Sequence, residues 1–200
     1  MAKIKLFSGM DFSGKTTIIE NINNLMPNIF KVQKKFLTPI NIIKKVRALD
    51  VWLPPEEWKP LLQKAIEKDI TDYRENELIL QDSLWIIKYI ATKLEKNKPE
   101  DYEELNILSD LLNQYPEMDS FYVTTTIEER VKRFKIRQTL GKSITGSDKL
   151  LLDIEKFKRI EKHYKNIIFK RFPRTKIIDT TFVTIDQTTK KIMKDEVFLN

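Results

Sequence analysis

The chain has 200 residues, no cysteine and a net charge of +7 at neutral pH, so disulfides and thiolate metal sites are excluded and a reducing cytoplasm is the expected setting. Its length suits one domain with ample core, and no run of about 18 apolar residues is present to span a membrane. The excess of base suits a nucleic acid or a nucleotide carrying several negative charges, although lysines and acids interleave through stretches such as "DIEKFKRIEKHYK", as solvated helix faces do.

The first expected element is a buried strand, "IKLFSG" at 4–9, a short apolar run that stops at glycine. Because "MAKIKLFSG" runs straight into a glycine loop, it is not read as a signal peptide. From residue 15, "KTTIIENINNLM" spaces Ile18, Ile19, Ile22, Leu25 and Met26 at helical intervals, and Pro27 with Asn28 stops the helix. A second strand is expected at 29–36. Residues 39–72 read as mostly helical, punctuated at Pro54, Pro55 and Pro60. A strand at 77–82 runs into a helix over 83–96, and a further helix covers 98–115. Next come a strand at 120–125 and the basic helix "IEERVKRFKIRQ". The segment "TLGKSITGSDK" holds Gly141 and Gly146, and a long helix over 150–172 follows. A strand at 175–181 and a helix near 186–195 complete the chain. Strands alternating with helices imply an α/β domain over 1–200, with a parallel sheet of about five strands covered on both faces.

Only four glycines occur in the chain, and two of them frame "GMDFSGKTT" at 9–17. The spacing Gly9-x4-Gly14-Lys15-Thr16 is that of a phosphate-binding loop. At average residue usage such a match arises by accident in roughly 1% of chains this long, and here a strand precedes it and a helix follows. Gly9, Met10, Asp11, Phe12, Ser13, Gly14, Lys15, Thr16 and Thr17 are therefore the candidate nucleotide-binding residues. Their N–H groups and the positive end of the helix would surround phosphates. Lys15 would reach the β- and γ-phosphates, and the Thr16 hydroxyl would sit on Mg²⁺. Such a loop binds a nucleoside triphosphate, which leaves ATPase, GTPase, motor and kinase open. Asp11 would repel the triphosphate, so it needs a compensating role such as a hydrogen bond to an acceptor hydroxyl.

These nine residues resemble the loop G-x-D-x-x-G-K-[ST]-T of the thymidylate kinase group of P-loop kinases, with the deoxynucleoside kinases close by. "YVTTTIEERVKRFKIR" at 122–137 is similar to that group's Y-L-D-V-P-P-E-x-A-L-x-R-I-x-x-R through Tyr122, Glu128, Val131, Arg133 and Arg137. "FKRIEKHY" resembles F-x-R-V-x-x-x-Y through Phe157, Arg159, Ile160 and Tyr164, and "IIDTT" at 177–181 resembles the closing strand V-I-D-A. The resemblance implies a P-loop kinase fold that uses ATP and Mg²⁺ to phosphorylate a nucleoside monophosphate such as dTMP. Asp11 would face the acceptor sugar. Residues 138–149 would form a helical lid, with Arg133, Arg137, Lys142 and Lys149 supplying cations to the transition state. Some members carry a base where Phe12 stands, which shifts that burden to the lid. A homodimer is implied as well; no membrane and no specific nucleic acid is expected.

Two departures stand out. Asp82 keeps the carboxylate expected at a strand end, to hold Mg²⁺ through water or take the acceptor's proton, or to cap the next helix. The arginine that should follow it is Ser83, and serine cannot make a bidentate phosphate grip. The Arg-Glu-Pro motif after the second strand is replaced by "QKKFLTP", offering Lys34 and Lys35, with Arg47 and Arg74 as other candidates. A free nucleoside, another hydroxyl acceptor, or ATP binding without transfer are the alternative readings. Phe36, Trp52, Trp58, Tyr73 and Trp85 either stack on a base or, more commonly for such residues, fill core. The single histidine, His163, reads as a surface residue, and no zinc site is expected. A motor ATPase would end an apolar strand in Asp-Glu; the pair at 195–196 falls in the last expected helix instead.

Overall fold

The computed structural model describes residues 3–33, 55–75, 78–142 and 148–194. Its elements are β1 (Lys3–Ser8), α1 (Lys15–Leu25), β2 (Lys31–Gln33), α2 (Pro55–Glu75), β3 (Leu78–Asp82), α3 (Trp85–Lys96), α4 (Tyr102–Asn113), β4 (Asp119–Thr124), α5 (Ile127–Thr139), α6 (Ile154–Arg171), β5 (Lys176–Asp179) and α7 (Ile185–Met193). The strands form one sheet in the order β2-β3-β1-β4-β5, and every pairing is parallel. The chain leaves the central β1 first toward β2 and β3, then toward β4 and β5. That reversal makes the carboxyl end of β1 the switch point of an open parallel sheet, where ligands bind.

Side chains along the strands alternate between the two faces. Ile4, Leu6, Ile79 and Tyr122 enter a large core with residues of α2, α3, α4 and α6. Phe7, Leu80, Phe121 and Val123 enter a smaller core with Ile18, Ile19 and Ile22 of α1 and Ile192 of α7. In this smaller layer Phe7 and Phe121 stack with ring centroids 5.2 Å apart. Lys5 is fully buried, and its cross-strand partner supplies the charge that permits this: Nζ donates to Asp119 at 2.8 Å.

Local signals explain most element boundaries. The hydroxyls of Thr126 and Thr184 and the carboxylate of Asp153 cap α5, α7 and α6, and Thr184 with Gln187 completes a capping box. The Asp153 cap corrects the expected helix start at 150, because Asp148–Leu152 forms a 3₁₀ turn ahead of it. A similar turn at Pro99–Asp101 precedes α4. Pro60 does not interrupt α2. It costs that helix one internal hydrogen bond near its exposed start, which the buried face beyond it, Leu62, Ala65 and Ile66, outweighs. Met193 ends α7, so the Asp-Glu pair at 195–196 lies outside the described residues. Among those residues no helix is long and apolar enough to cross a membrane.

Candidate functional site

Register sets the site. Phe7 pairs with Asp82, and Ser8 with Tyr122, so β1, β3 and β4 end at one edge. There the chain turns through residues 9–14 into α1. Gly9 has φ 141, and a Cβ on it would stand 2.2 Å from the Val123 carbonyl oxygen. Only glycine lets the loop pass this close to β4. Gly14 precedes α1 at φ 94, and the helix opens with no side-chain cap. Its first internal bond runs from Ile18 N–H to the Gly14 carbonyl, which leaves the N–H groups of the first turn directed at an incoming anion. Phe12 also adopts a left-handed backbone, φ 62. Its ring meets Phe134 edge-on at 5.5 Å, and the Arg137 guanidinium lies 5.8 Å from its centroid.

Three arginines at i, i+3 and i+7 form a stripe on α5 that faces this loop. Arg130 is fully buried and donates to the carbonyls of Met10 at 3.3 Å and Asp11 at 2.7 Å, and to Glu161 at 2.9 Å. Burial draws its pKa down from the ordinary value, with Glu161 pulling the other way. Arg133 donates to the Phe12 carbonyl at 3.1 Å and to the Thr180 carbonyl at 3.1 Å. The Thr180 hydroxyl in turn donates to the Ser13 carbonyl at 2.8 Å. Arg137 reaches the hollow in front of α1, and its buried Nε has no hydrogen-bond partner among the described residues. Arg133 and Arg137 stand out in the sequence through their motif, whereas Arg130 and Thr180 do not. The signal for Arg130 was a base at a position of α5 where an apolar residue should face the core.

Asp82 ends β3, and its Oδ2 accepts the Thr16 hydroxyl at 2.9 Å. It does not cap α3: the N-cap is Leu84, without a side-chain bond. Ser83 explains why no arginine stands there. It is 2% exposed, adopts φ 58, and returns both its N–H (2.9 Å) and its hydroxyl (3.3 Å) to the Phe7 carbonyl. Asp11 forms an ion pair with Lys88 of α3, a residue outside the motifs of the sequence.

Lys15, Thr16, Thr17, Arg133, Arg137 and Lys142 line a hollow of about 550 Å³ in front of α1. This donor set suits a magnesium triphosphate: open N–H groups, a lysine, the Arg137 guanidinium, and a hydroxyl beside a carboxylate. Among the described residues no group of three or more His, Asp or Glu is placed to hold a metal. A magnesium ion bound with the phosphates would take Thr16 and Asp82 as its protein ligands.

Other candidates fall elsewhere. Lys149 is exposed on the 3₁₀ turn, and residues 143–147 of the expected lid lie outside the described residues. So do Lys34, Lys35, Phe36, Arg47 and Trp52. Trp58 falls within α2, and Arg74 is exposed near that helix's end. Tyr73 is core, its hydroxyl donating to Gln81 at 2.9 Å, and Trp85 packs against that core. Beside it burial lifts the Asp69 carboxyl to about 6, opposed by a hydrogen bond from Tyr115. His163 lines a groove with Ile90, Leu94 and Leu105, well apart from the loop residues. Arg159 pairs with Glu95 on the surface. Tyr164 is buried, and its oxygen accepts the Gly9 N–H at 3.5 Å.

No protein-family model matches the sequence, and no curated protein matches it significantly. Solved structures do match. Thymidylate kinase from Candida albicans superposes with a TM-score of 0.69 at 22% identity, covering 96% of this chain and 90% of its own. Deoxyadenosine kinase from M. mycoides with bound dATP gives 0.63 at 17%, covering 96% and 97%. Thymidylate kinase from Ehrlichia chaffeensis gives 0.61 at 15%, again covering 96% and 97%. The five-stranded parallel sheet, the loop after β1 and the helices on both faces are therefore those of the P-loop fold that thymidylate kinases and deoxyadenosine kinase share.

Proposed function

We propose that this protein is an ATP-dependent kinase of a nucleoside monophosphate, dTMP or a relative of it. The carrying observation is the Thr16–Asp82 hydrogen bond in front of the uncapped helix α1, beneath the arginine stripe of α5. That arrangement brings a cation-binding pair and a phosphate cradle to the same point. The likeness in fold to thymidylate kinases supports the choice of acceptor.

In the proposed reaction the bond between the γ-phosphorus and its bridging oxygen breaks, ADP leaves with the electron pair, and a new P–O bond forms to the acceptor phosphate. A hydroxyl acceptor would also give up a proton, for which Asp82 is the nearest carboxylate to Thr16. Lys15 and the N–H groups of residues 14–17 hold the donor phosphates. Arg137, and Arg133 to the extent its loop contacts allow, neutralise charge that spreads over the transferring group. Thr16 and Asp82 would hold Mg²⁺, which would supply positive charge against the repulsion of the phosphates. The protein is proposed to work in the cytoplasm as a homodimer; sedimentation of the purified chain tests the latter.

The test is ADP release from Mg-ATP against nucleosides and nucleoside monophosphates, with the phosphorylated product identified by mass. A diphosphate product supports the reading. Turnover of free nucleosides alone would move the assignment to a deoxynucleoside kinase, the direction in which the loss of arginine at Ser83 points. ATP binding with no product from any acceptor would leave a binding protein.

A further inference from the structure

Lys88 is the fourth residue of α3, and its ammonium is salt-bridged to Asp11 inside the phosphate loop. The two side chains are only 12% and 16% exposed. Ile86, Ile87, Ile90 and Ala91 around Lys88 on the helix are all buried, so the lysine interrupts an apolar stretch. Burial lowers its pKa; Asp11 and Asp148 oppose that, and Lys15 adds to it. Such a pair is a poor device for stability, because two apolar or neutral polar side chains of similar size would avoid the desolvation cost. The Asp11 backbone is fixed independently, by Arg130 on its carbonyl. The pair therefore calls for a reason other than holding the loop.

Position supplies one. Neither Asp11 nor Lys88 lines the hollow where Arg133, Arg137 and Lys142 meet α1. Lys15 does line it, and it is also close enough to Lys88 to repel it. Lys15 thus borders the donor-phosphate hollow and is also near the Asp11–Lys88 pair. In-line transfer places the acceptor across the γ-phosphate from ADP, and the pair, next to Lys15 but outside the hollow, is the charged group available for that side. An ammonium has three donors, so one can stay on Asp11 while others meet a second anion. Resting on the kinase reading above, we propose that Lys88 is the acceptor-binding cation: it grips the phosphate of a nucleoside monophosphate where Ser83 cannot. Asp11 then has two tasks, holding Lys88 in place and marking the acceptor end with a hydrogen-bond acceptor.

The test is calorimetric binding of dTMP, dAMP, dGMP and dCMP, of the four matching deoxynucleosides and of a non-hydrolysable ATP analogue. The proteins are the wild type, Lys88→Met, and the double variant Asp11→Asn with Lys88→Met. The expected result is that the wild type prefers at least one monophosphate over its nucleoside. Lys88→Met should weaken that monophosphate by about 10- to 100-fold, the range for a hydrogen bond to a charged group, with nucleoside and ATP-analogue binding within about twofold. The double variant removes the orphaned charge that could unfold the single one. It should melt like the wild type yet still bind the monophosphate weakly. Wild-type monophosphate affinity in either variant would overturn the proposal, as would a wild type that binds no monophosphate. The kinase reading fails separately, by an absence of ADP and phosphorylated product across the panel, and the binding comparison still decides Lys88.

Discussion

β1 and β3 are neighbouring parallel strands that end in register, Phe7 beside Asp82, yet each passes to its helix in its own way. After β1 the chain takes six residues, three of them at positive φ (Gly9, Phe12 and Gly14), and enters α1 with its first N–H groups uncapped. After β3 it takes two residues. Ser83 closes its own N–H onto the Phe7 carbonyl, and Gln81 Nε2 donates to the Ser83 carbonyl at 3.0 Å. The first junction offers backbone; the second offers the side chains Asp82 and Lys88. A backbone cradle recognises what all nucleotide phosphates share, so its requirements are spacing and glycine. Side chains delivered by a closed turn can be exchanged one at a time, and that is where an acceptor preference can change without disturbing the cradle.

The comparison breaks first at Lys15. Replacing it with alanine removes the ammonium proposed to hold the donor phosphates, and transfer should fall by about 10²- to 10³-fold, the loss typical of a preorganised donor. Melting should stay near that of the wild type, since the helix face of Ile18, Ile19 and Ile22 is untouched. A rate within a few-fold of wild type would mean that the N–H groups and the α5 arginines suffice.

Gly9→Ala tests the backbone half. The added Cβ would lie 2.2 Å from the Val123 carbonyl oxygen, at a φ of 141. Relief requires β1 and β4 to part where their carboxyl ends build the site. A cost on the order of 3 kcal/mol is expected for such strain, which for a domain of this size is roughly 6–12 °C in Tm, together with loss of ATP-analogue binding. Thermal unfolding with and without the analogue reads both. A stable variant that still binds would mean the loop need not pass so close to β4.

The same division explains what the sequence made legible. Glycine spacing, the apolar run before it and the helical period after it all report backbone, and they point to β1, the loop and α1 with boundaries nearly as observed. The five strands and the helices on both faces followed from alternation of apolar segments. The α5 stripe was half legible: Arg133 and Arg137 stood out through their motif, whereas Arg130 shares their face but stands where an apolar residue belongs. Lys88 gives no local sign beyond its place in an apolar stretch, until the loop 77 residues earlier in the chain sets Asp11 against it. Asp82 reads first as a metal ligand or proton acceptor and second as a helix cap. Only the register of β1 with β3 brings it to Thr16. Where function rests on a single side chain meeting another across the fold, one chain read alone carries little trace of it.

The smallest effect sharpens the comparison most. Ser83 sits at φ 58, a conformation that costs a residue with a Cβ about 1–2 kcal/mol, and Ser83→Gly removes that cost. It also deletes the hydroxyl, whose bonds to the Phe7 carbonyl and to Asp82 Oδ1 are long, 3.3 and 3.5 Å, and which also meets the Tyr164 hydroxyl. It keeps the 2.9 Å backbone bond that closes the turn. If the backbone does the closing, strain relief and hydroxyl loss nearly cancel. Stability by urea unfolding should then stay within about 1 kcal/mol of wild type, roughly 2–4 °C in Tm. Acceptor affinity should hold, because Asp82 and Lys88 keep their supports. A loss beyond 2 kcal/mol would show that the hydroxyl carries the turn, and that this junction depends on its side chain as much as the other depends on its glycines. Ser83→Arg is the converse: a long cation at a position 2% exposed should destabilise the fold without raising affinity for a monophosphate, since at this junction the route to the acceptor runs through Lys88.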